Sequence, residues 1–526
     1  ESLTKALSAS GPGFISHRAK ELMRHFGMTA GLDISGLDLD LAVASYLVDP
    51  AGGQSPLEAL AERSGVEAGA GSAGAGGQLG FDLGDGQAPD RMTASIERAA
   101  TVSSVAPLLA AEMVANGVEG LYEDVERPLV RVLARMETIG IAVDVDMLRA
   151  IHEELTSEAD RLELEVQELA GEKFNVNSTH QLRSILYDKD KLGLAPSKKT
   201  KTGFSTDAQT LERLRDQHPV VDALLRYREV EKLRSTYGDG LLGEVAPDGR
   251  IHASFGQTVA RTGRLSSDQP NLHNIPVRSE EGRRFRAAFI PGPGTELLVA
   301  DYNQIELRVI AHLADDPGLV EAFRTGVDIH NVTAARVFGV DPADVTVAQR
   351  SKAKMISYGL AYGMEAYGLS QRLSIPVDEA AVILDQYFLA FPAVRSYMDR
   401  TVAEARVRGY TETLFGRRRF IPELDASNYR IRQAAERQAM NAGIQGLAAD
   451  IFKVALVRLD RELEERGSAA RIVLQVHDEV LLEVPAAEHD AVGELTQSVM
   501  RGACELRVPL EVNMAWGKTW ADAKGA

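Results

Sequence analysis

Cysteine is almost missing: Cys504 is the only one in 526 residues. A single thiol excludes an intrachain disulfide and any zinc site built on cysteines, and a reducing interior is the simplest home for such a chain. No apolar run approaches the ~20 residues of a membrane span, and nothing has the layout of a signal peptide. An excess of positive charge is missing too: 58 Lys and Arg against 76 Asp and Glu leave a formal net charge of -18. As a whole-molecule field that charge opposes a polyanionic partner, but a local basic channel on an otherwise acidic surface does not. Large apolar residues are scarce in EAGAGSAGAGGQLGFDLGDGQAPD (67–90), which is too rich in glycine and alanine for a core and reads as a surface insertion. The chain opens at Glu1 rather than methionine, as a piece of something longer would.

What is present is enough apolar residue, 44% over this length, for three or four globular units. Up to about residue 110 the patterns are short and helical. Leu129, Val132, Leu133 and Met136 then recur at helical spacing, Gly140 sits where that helix would stop, and a second helix is predicted from Val145 through Leu169 with Asp144 as its cap. The segment LAPSKKTKTGFST (194–206) is a loop carrying Lys198, Lys199 and Lys201; it reads as a solvated loop or as the tip of an arm laid on phosphates. From Ile251 the chain becomes mixed α/β. ELLVADYN reads as a buried strand ending at Asp301, and RIVLQVHDEVLLEVP as two strands meeting at His477 and Asp478. Long helical patterns lie between them, among them a single one over 380–409 and another over 428–466.

Two separated carboxylates with a cationic helix are what nucleotidyl transfer on a triphosphate requires. Asp301 alone could equally cap a helix or form a turn; Asp478, with Glu479 beside it, adds a second carboxylate, and two like charges held close call for a cation between them. Oxygen donors favour Mg²⁺ over zinc. In RSKAKMISYGLAYG, Arg350, Lys354, Tyr358 and Tyr362 follow at four-residue steps along one helix face: either a solvated basic face, or cations for phosphates followed by rings for sugar and base. Gly359 and Gly363, costly inside a helix, predict close approach by something flat or bulky. His330 reads, unaided, as a capping or core imidazole. The run over 257–289 sets Arg261, Arg264, Arg278, Arg283, Arg284 and Arg286 among Asn, Ser and Pro, suited either to phosphates and groove edges or to solvent.

The ordered blocks TGRLSSDQPNLHNIP, DYNQIELRVIAH, DIHNVTAARVFG, RSKAKMISYGLAYG, TLFGRRRFIPEL, NAGIQGLAADIFK and VHDEV resemble those of bacterial family A DNA polymerases over roughly residues 121–526, with a weaker likeness before that. The resemblance implies a multidomain α/β and α+β fold: a right hand of thumb (121–240), palm (241–319 and 431–526) and fingers (320–430), preceded by a degenerate 3′-5′ exonuclease-like α/β domain (1–120). It implies two Mg²⁺ ions, with Mn²⁺ as a substitute, on Asp301, Asp478 and the carbonyl of Tyr302, and it sets Glu479 and Lys354 with them at the reaction. Arg350, Lys354, His330, Tyr358, Tyr362, Glu306 and Gln304 would bind the nucleotide, Glu306 as the gate against a ribose 2′-hydroxyl. Tyr358 stands where many members carry phenylalanine, which implies tolerance of chain terminators. Arg264, Asn271, His273, Arg437, Asn441, Gln445 and His477, with Lys198, Lys199 and Lys201, would bind DNA; His273 departs from the glutamine common in the family, its imidazole being shorter and titratable. Of the exonuclease carboxylates Asp40 matches one position, but Ala19 and Val102 stand where aspartates are expected and Arg98 where a tyrosine is, so no proofreading is implied. The expected partners are primer-template DNA and dNTPs, with no membrane, for a monomer in the cytoplasm at the nucleoid. A catalytically silent DNA-binding relative is the alternative.

Overall fold

The computed structural model describes residues 13–52, 55–67, 91–195, 198–201, 203–276, 279–361 and 363–524. All but Glu67 of the Gly/Ala tract lies outside the described residues, as do Tyr362 and Arg278. The chain forms two compact units: one takes in the segment up to Ile139, Ser254–Asp268 and Gly294–Trp516, the other Gly140–Ala253, Gln269–Pro293 and the end from Gly517. Within the first unit, helix Arg127–Ile139 packs both on the N-terminal helix Ala19–Ala30 and on the long helix Tyr429–Glu465.

The second unit is built on helix Val145–Ala170, packed against Val220–Leu233. Gly140 takes φ 65°, the left-handed region that glycine enters without steric cost. Asp144 then caps the helix, accepting from the Met147 N–H at 2.9 Å. Leu148, Ile151, Leu155, Ala159, Leu162 and Val166 form its buried face. Each large one contributes about 1.5–3 kcal/mol by leaving water.

The first unit is organised by β1 (Thr295–Tyr302), α1 (Ile305–Ala314), α2 (Ile329–Phe338), α3 (Val347–Ala361), α4 (Tyr429–Glu465), β2 (Arg471–Val476), β3 (Glu479–Pro485) and β4 (Val512–Gly517). The sheet order is β2-β3-β1-β4, with β1 antiparallel to β3 from Thr295↔Pro485 to Asp301↔Glu479. Leu297, Leu298, Val299 and Ala300 are all buried, so both faces of β1 are covered and its apolar run does not alternate. α4 starts at Asn428, whose side chain accepts from the Arg430 N–H at 2.9 Å, and it packs on α1. The single helix expected over 380–409 is two, Val377–Ala390 and Pro392–Arg408, because Pro392 cannot continue a hydrogen-bond ladder and suits a first turn instead. No single helix among the described residues is long and apolar enough to cross a membrane.

Candidate active site

The sheet register brings the acidic residues together. Asp301, the last but one residue of β1, lies directly opposite Glu479, the first residue of β3, and the Tyr302 N–H donates to the Asp478 carbonyl at 3.2 Å. Asp478 and His477 form the tight link between β2 and β3; His477 takes φ 54°, which costs an L-residue about 1 kcal/mol, and Gln475 Nε2 donates to its carbonyl at 2.6 Å. Glu479 is buried, whereas Asp301 and Asp478 are half-buried. Tyr302 is anchored by its hydroxyl, which donates to the Met500 carbonyl at 2.7 Å. A cavity of about 30 Å³ is lined by Arg264, Lys453, Gln475, His477 and Asp478, so two predicted DNA contacts share a space with a predicted metal ligand.

Gln304, in the left-handed region with φ 56°, turns the chain from β1 into α1. That turn is held by Arg308, which sequence reasoning missed: its guanidinium donates to the Asn303 carbonyl at 2.8 Å, the Pro509 carbonyl at 2.6 Å and Glu511 Oε2 at 2.6 Å. Two residues earlier on the same helix, Glu306 is buried and ion-paired with Arg264. A buried carboxylate without such a partner would be strongly destabilising.

The cationic stripe starts α3 and packs on α2. Arg350 and Lys354 are exposed and Tyr358 is half-buried. Arg350 Nε donates to Asp328 Oδ2 at 2.7 Å, and Asp328 Oδ1 caps α2 by accepting from the His330 N–H at 2.9 Å. Burial would raise the Asp328 pKa, but the Arg350 guanidinium and the two backbone N–H groups outweigh it and hold the carboxyl below its ordinary value. His330 is 2% exposed, its Nδ1 has no partner among the described residues, and its ring lies 5.8 Å from that of Tyr358. Burial pulls its pKa down to about 4; Asp328 opposes that shift, while Lys354 and Arg350 add to it. At neutral pH it is therefore an uncharged imidazole. The aspartate ahead of a helical pattern was the available cap signal for Asp328.

Gly359 and Gly363 correct one expectation. A Cβ on Gly359 would meet Met364 Sδ at 3.2 Å, and one on Gly363 would meet Asn441 Oδ1 at 3.1 Å and the Arg437 carbonyl at 3.3 Å. The close approach comes from the protein itself, and it sets Gly363 against α4 where Arg437 and Asn441 lie. Arg437 also pairs with Glu365 at 2.9 Å, Asn441 Oδ1 has no partner among the described residues, and Gln445 is half-buried one turn further on. Tyr362 lies outside the described residues. Asn271, His273, Lys198, Lys199 and Lys201 belong to the second unit. There Asn271 Oδ1 accepts from the His273 N–H at 3.1 Å, Lys198 pairs with Asp207 at 3.1 Å, and Lys199 lies over Phe204.

In the N-terminal segment Asp40 is buried at the end of a short parallel strand pair. Its carboxylate accepts from the N–H groups of Arg18 at 3.1 Å, Ala19 at 2.7 Å, Ala42 at 2.8 Å and Val43 at 3.4 Å. Burial nevertheless moves its pKa upward against those four donors. Arg98 pairs with Glu58 at 3.5 Å, and Val102 is half-buried on the same helix, Arg91–Ala115.

Residues 145–522 match the pattern of DNA polymerase family A, and they include every acidic and cationic residue placed above from Arg264 to Glu479. The chain belongs to DNA polymerase family A. It is 44% identical over 499 residues to DNA polymerase I of Geobacillus stearothermophilus, and 44% identical over 507 residues to that of Mycobacterium tuberculosis strain H37Rv. These alignments cover 94% and 96% of this chain but 56% of each relative, so the chain spans about half the length of the curated relatives it matches. With the thermostable DNA polymerase I of Thermus thermophilus it shares 50% identity over 407 residues, 77% of this chain and 48% of that one. Its fold is similar to a solved POL domain of Pol1 from M. smegmatis, in complex with DNA primer-template and dNTP: TM-score 0.91 at 43% identity, over 99% of this chain and 88% of that chain.

Among the described residues no three His, Cys, Asp or Glu side chains converge into a metal cage. A family A polymerase does not need one of Mg²⁺, which binds through one or two carboxylates and completes its octahedron with water and substrate phosphates. Asp301, Asp478 and the Tyr302 carbonyl are hard oxygen donors of that kind, so the donor set fits.

Proposed function

We propose that the chain is a template-directed DNA polymerase that extends a primer 3′-hydroxyl with dNTPs, in gap filling, lagging-strand maturation and repair. The observation that carries this reading is the register setting Asp301 opposite Glu479 with Asp478 in the adjoining turn, in the same unit as the Arg350, Lys354 and His330 cluster. The similarity to a POL domain holding primer-template and dNTP supports the choice of partners.

Asp301, Asp478 and the Tyr302 carbonyl would hold two Mg²⁺ ions, or Mn²⁺ in their place. When bound, such ions lower the pKa of the attacking hydroxyl and neutralise charge on the triphosphate and departing pyrophosphate. Glu479, buried beside Asp301, supports the site from beneath. Arg350 and Lys354 meet phosphate oxygens with charge-assisted hydrogen bonds, and His330 contributes as a neutral ring. Gln304, Glu306 and Tyr358 surround sugar and base, with Glu306 restrained by Arg264, and the family resemblance assigns Tyr362 to nucleotide binding too. Arg264, His477, Arg437, Asn441 and Gln445 contact the primer-template in its minor groove, where acceptors differ little between base pairs. In the second unit, Asn271 and His273 are assigned to DNA binding as well. Lys198, Lys199 and Lys201 lie on its backbone.

Proofreading is not part of this function. Asp40 is committed to four backbone N–H groups, and Ala19, Arg98 and Val102 offer no oxygen ligand. The N-terminal segment serves as a support for the polymerase body. The protein acts as a monomer at the nucleoid. Incubation with primer-template, Mg²⁺ and four dNTPs tests the proposal against a silent DNA-binding relative: extension supports the enzyme, and tight binding without extension supports the binder.

A further inference from the structure

We propose that Asp328 is a positioning residue for nucleotide use, one carboxylate that sets the geometry of both Arg350 and His330; this rests on the triphosphate reading of that cluster. Its two oxygens divide the work. Oδ1 accepts from the N–H groups of His330 at 2.9 Å and Asn331 at 3.3 Å, which fixes the first turn of α2 and with it the buried imidazole. Oδ2 receives Arg350 Nε and Nη2, each at 2.7 Å. Engaged by that side edge, the planar guanidinium cannot rotate about its last bonds, and its remaining Nη1/Nη2 end stays available as a fork for two phosphate oxygens.

A negative charge beside a triphosphate site is unfavourable by Coulomb's law alone. Two opposite outcomes therefore separate orientation from simple charge. If Asp328 only competes for Arg350, removing its charge lowers KM for dNTP. If it orients Arg350, removing it raises KM, because the fork must be ordered at the expense of binding.

The substitution Asp328→Asn makes the distinction without unfolding α2, since asparagine caps a helix as well as aspartate does, while its amide cannot accept from Arg350 in the same way. Asp328→Ser is the second variant: it also caps, and it is too short to reach the guanidinium. Single-nucleotide incorporation on a primer-template is measured for the parent, both variants, Arg350→Ala and the double variant Asp328→Asn/Arg350→Ala. Both Asp328 variants are expected to raise KM about tenfold with kcat within about threefold, and Asp328→Asn to change KM less than about twofold in the Arg350→Ala background. A fall or no change in KM, or an equal effect in both backgrounds, overturns the proposal while leaving the triphosphate reading intact. No change in KM or kcat from Arg350→Ala itself overturns both.

Discussion

Lys453 Nζ donates to Glu126 Oε1 at 2.7 Å, with both side chains closed off from solvent. The pair sits in a larger buried network in which Arg417 also meets Glu126, Arg417 Nε donates to Asp450 Oδ1 at 2.7 Å, and Gln257 Nε2 donates to Glu126 Oε2 at 2.8 Å. Two cations balance two anions. Burial pulls Lys453 down to about 8 against the attraction of Glu126, so it remains protonated at neutral pH.

Burial alone would raise the pKa of Glu126, but Lys453 and Arg417 outweigh it and hold the carboxyl at about 2, against an ordinary value of 4.5. A carboxyl depressed in the folded state contributes stability that is present above its unfolded pKa and is lost as pH falls through the folded one. For this shift the contribution is about 3 kcal/mol, fading between about pH 4.5 and 2. Glu126→Gln should lower unfolding free energy at pH 7 by about that much, and the gap to the parent should close in this acid window. Denaturant titrations at pH 7, 4 and 3 check it; a gap unchanged at pH 3 would contradict the assignment.

Glu306, buried and paired with Arg264, is the proposed sugar gate. Glu306→Ala should reduce selectivity for dNTP over rNTP by roughly 10- to 100-fold, the range that one lost steric and polar discrimination supplies, and should also lower activity by removing the ion pair that restrains Arg264. Competition between dNTP and rNTP on one template reads the effect. Parental selectivity in the variant would move the gate elsewhere.

Tyr358 carries a hydroxyl that phenylalanine at the same position would lack. Placed near the sugar 3′ carbon, it would replace a hydrogen bond that a dideoxynucleotide lacks. Tyr358→Phe should discriminate against ddNTP about tenfold more strongly than the parent, the worth of one such bond. Equal ratios for both proteins would remove the hydroxyl from the account.

Much of this was legible in the sequence because it rests on local rules. The end of β1 at Asp301, the β2-β3 link at His477 and Asp478, and the Asp144 cap follow from apolar runs, one polar interruption and cap chemistry. The Glu126 network was not legible: its members lie more than 300 residues apart in sequence between Glu126 and Lys453, and a lone Glu or Lys in a helical pattern looks like a solvated face. Gly359 and Gly363 misled for a related reason. A glycine in a helical pattern signals close approach without saying by what; here Gly359 meets Met364, while Gly363 lies just past the end of α3 at φ 64° and faces α4. The break at Pro392 was readable, since proline suits a helix start, and the apolar periodicity on both sides concealed it.

On the proposed reading, Asp40 keeps a matching residue type without the matching role. Its carboxylate is enclosed by four backbone donors, so a metal would have to displace bonds that hold the start of the helix Leu41–Val48. A mismatched, 3′-labelled primer-template incubated with Mg²⁺ or Mn²⁺ and no dNTPs should keep its terminal nucleotide. Removal that persists in Asp301→Asn would show a working exonuclease.

The most direct test is the extension rate of Asp301→Asn and Asp478→Asn beside the parent, with primer-template affinity measured on the same preparations. Each substitution should cost at least about 10²-fold in rate while leaving the DNA Kd within about tenfold, because on the proposed reading the two carboxylates act through metals at the reacting phosphorus and not on the duplex. Near-parental extension by either variant would contradict the assignment of the site.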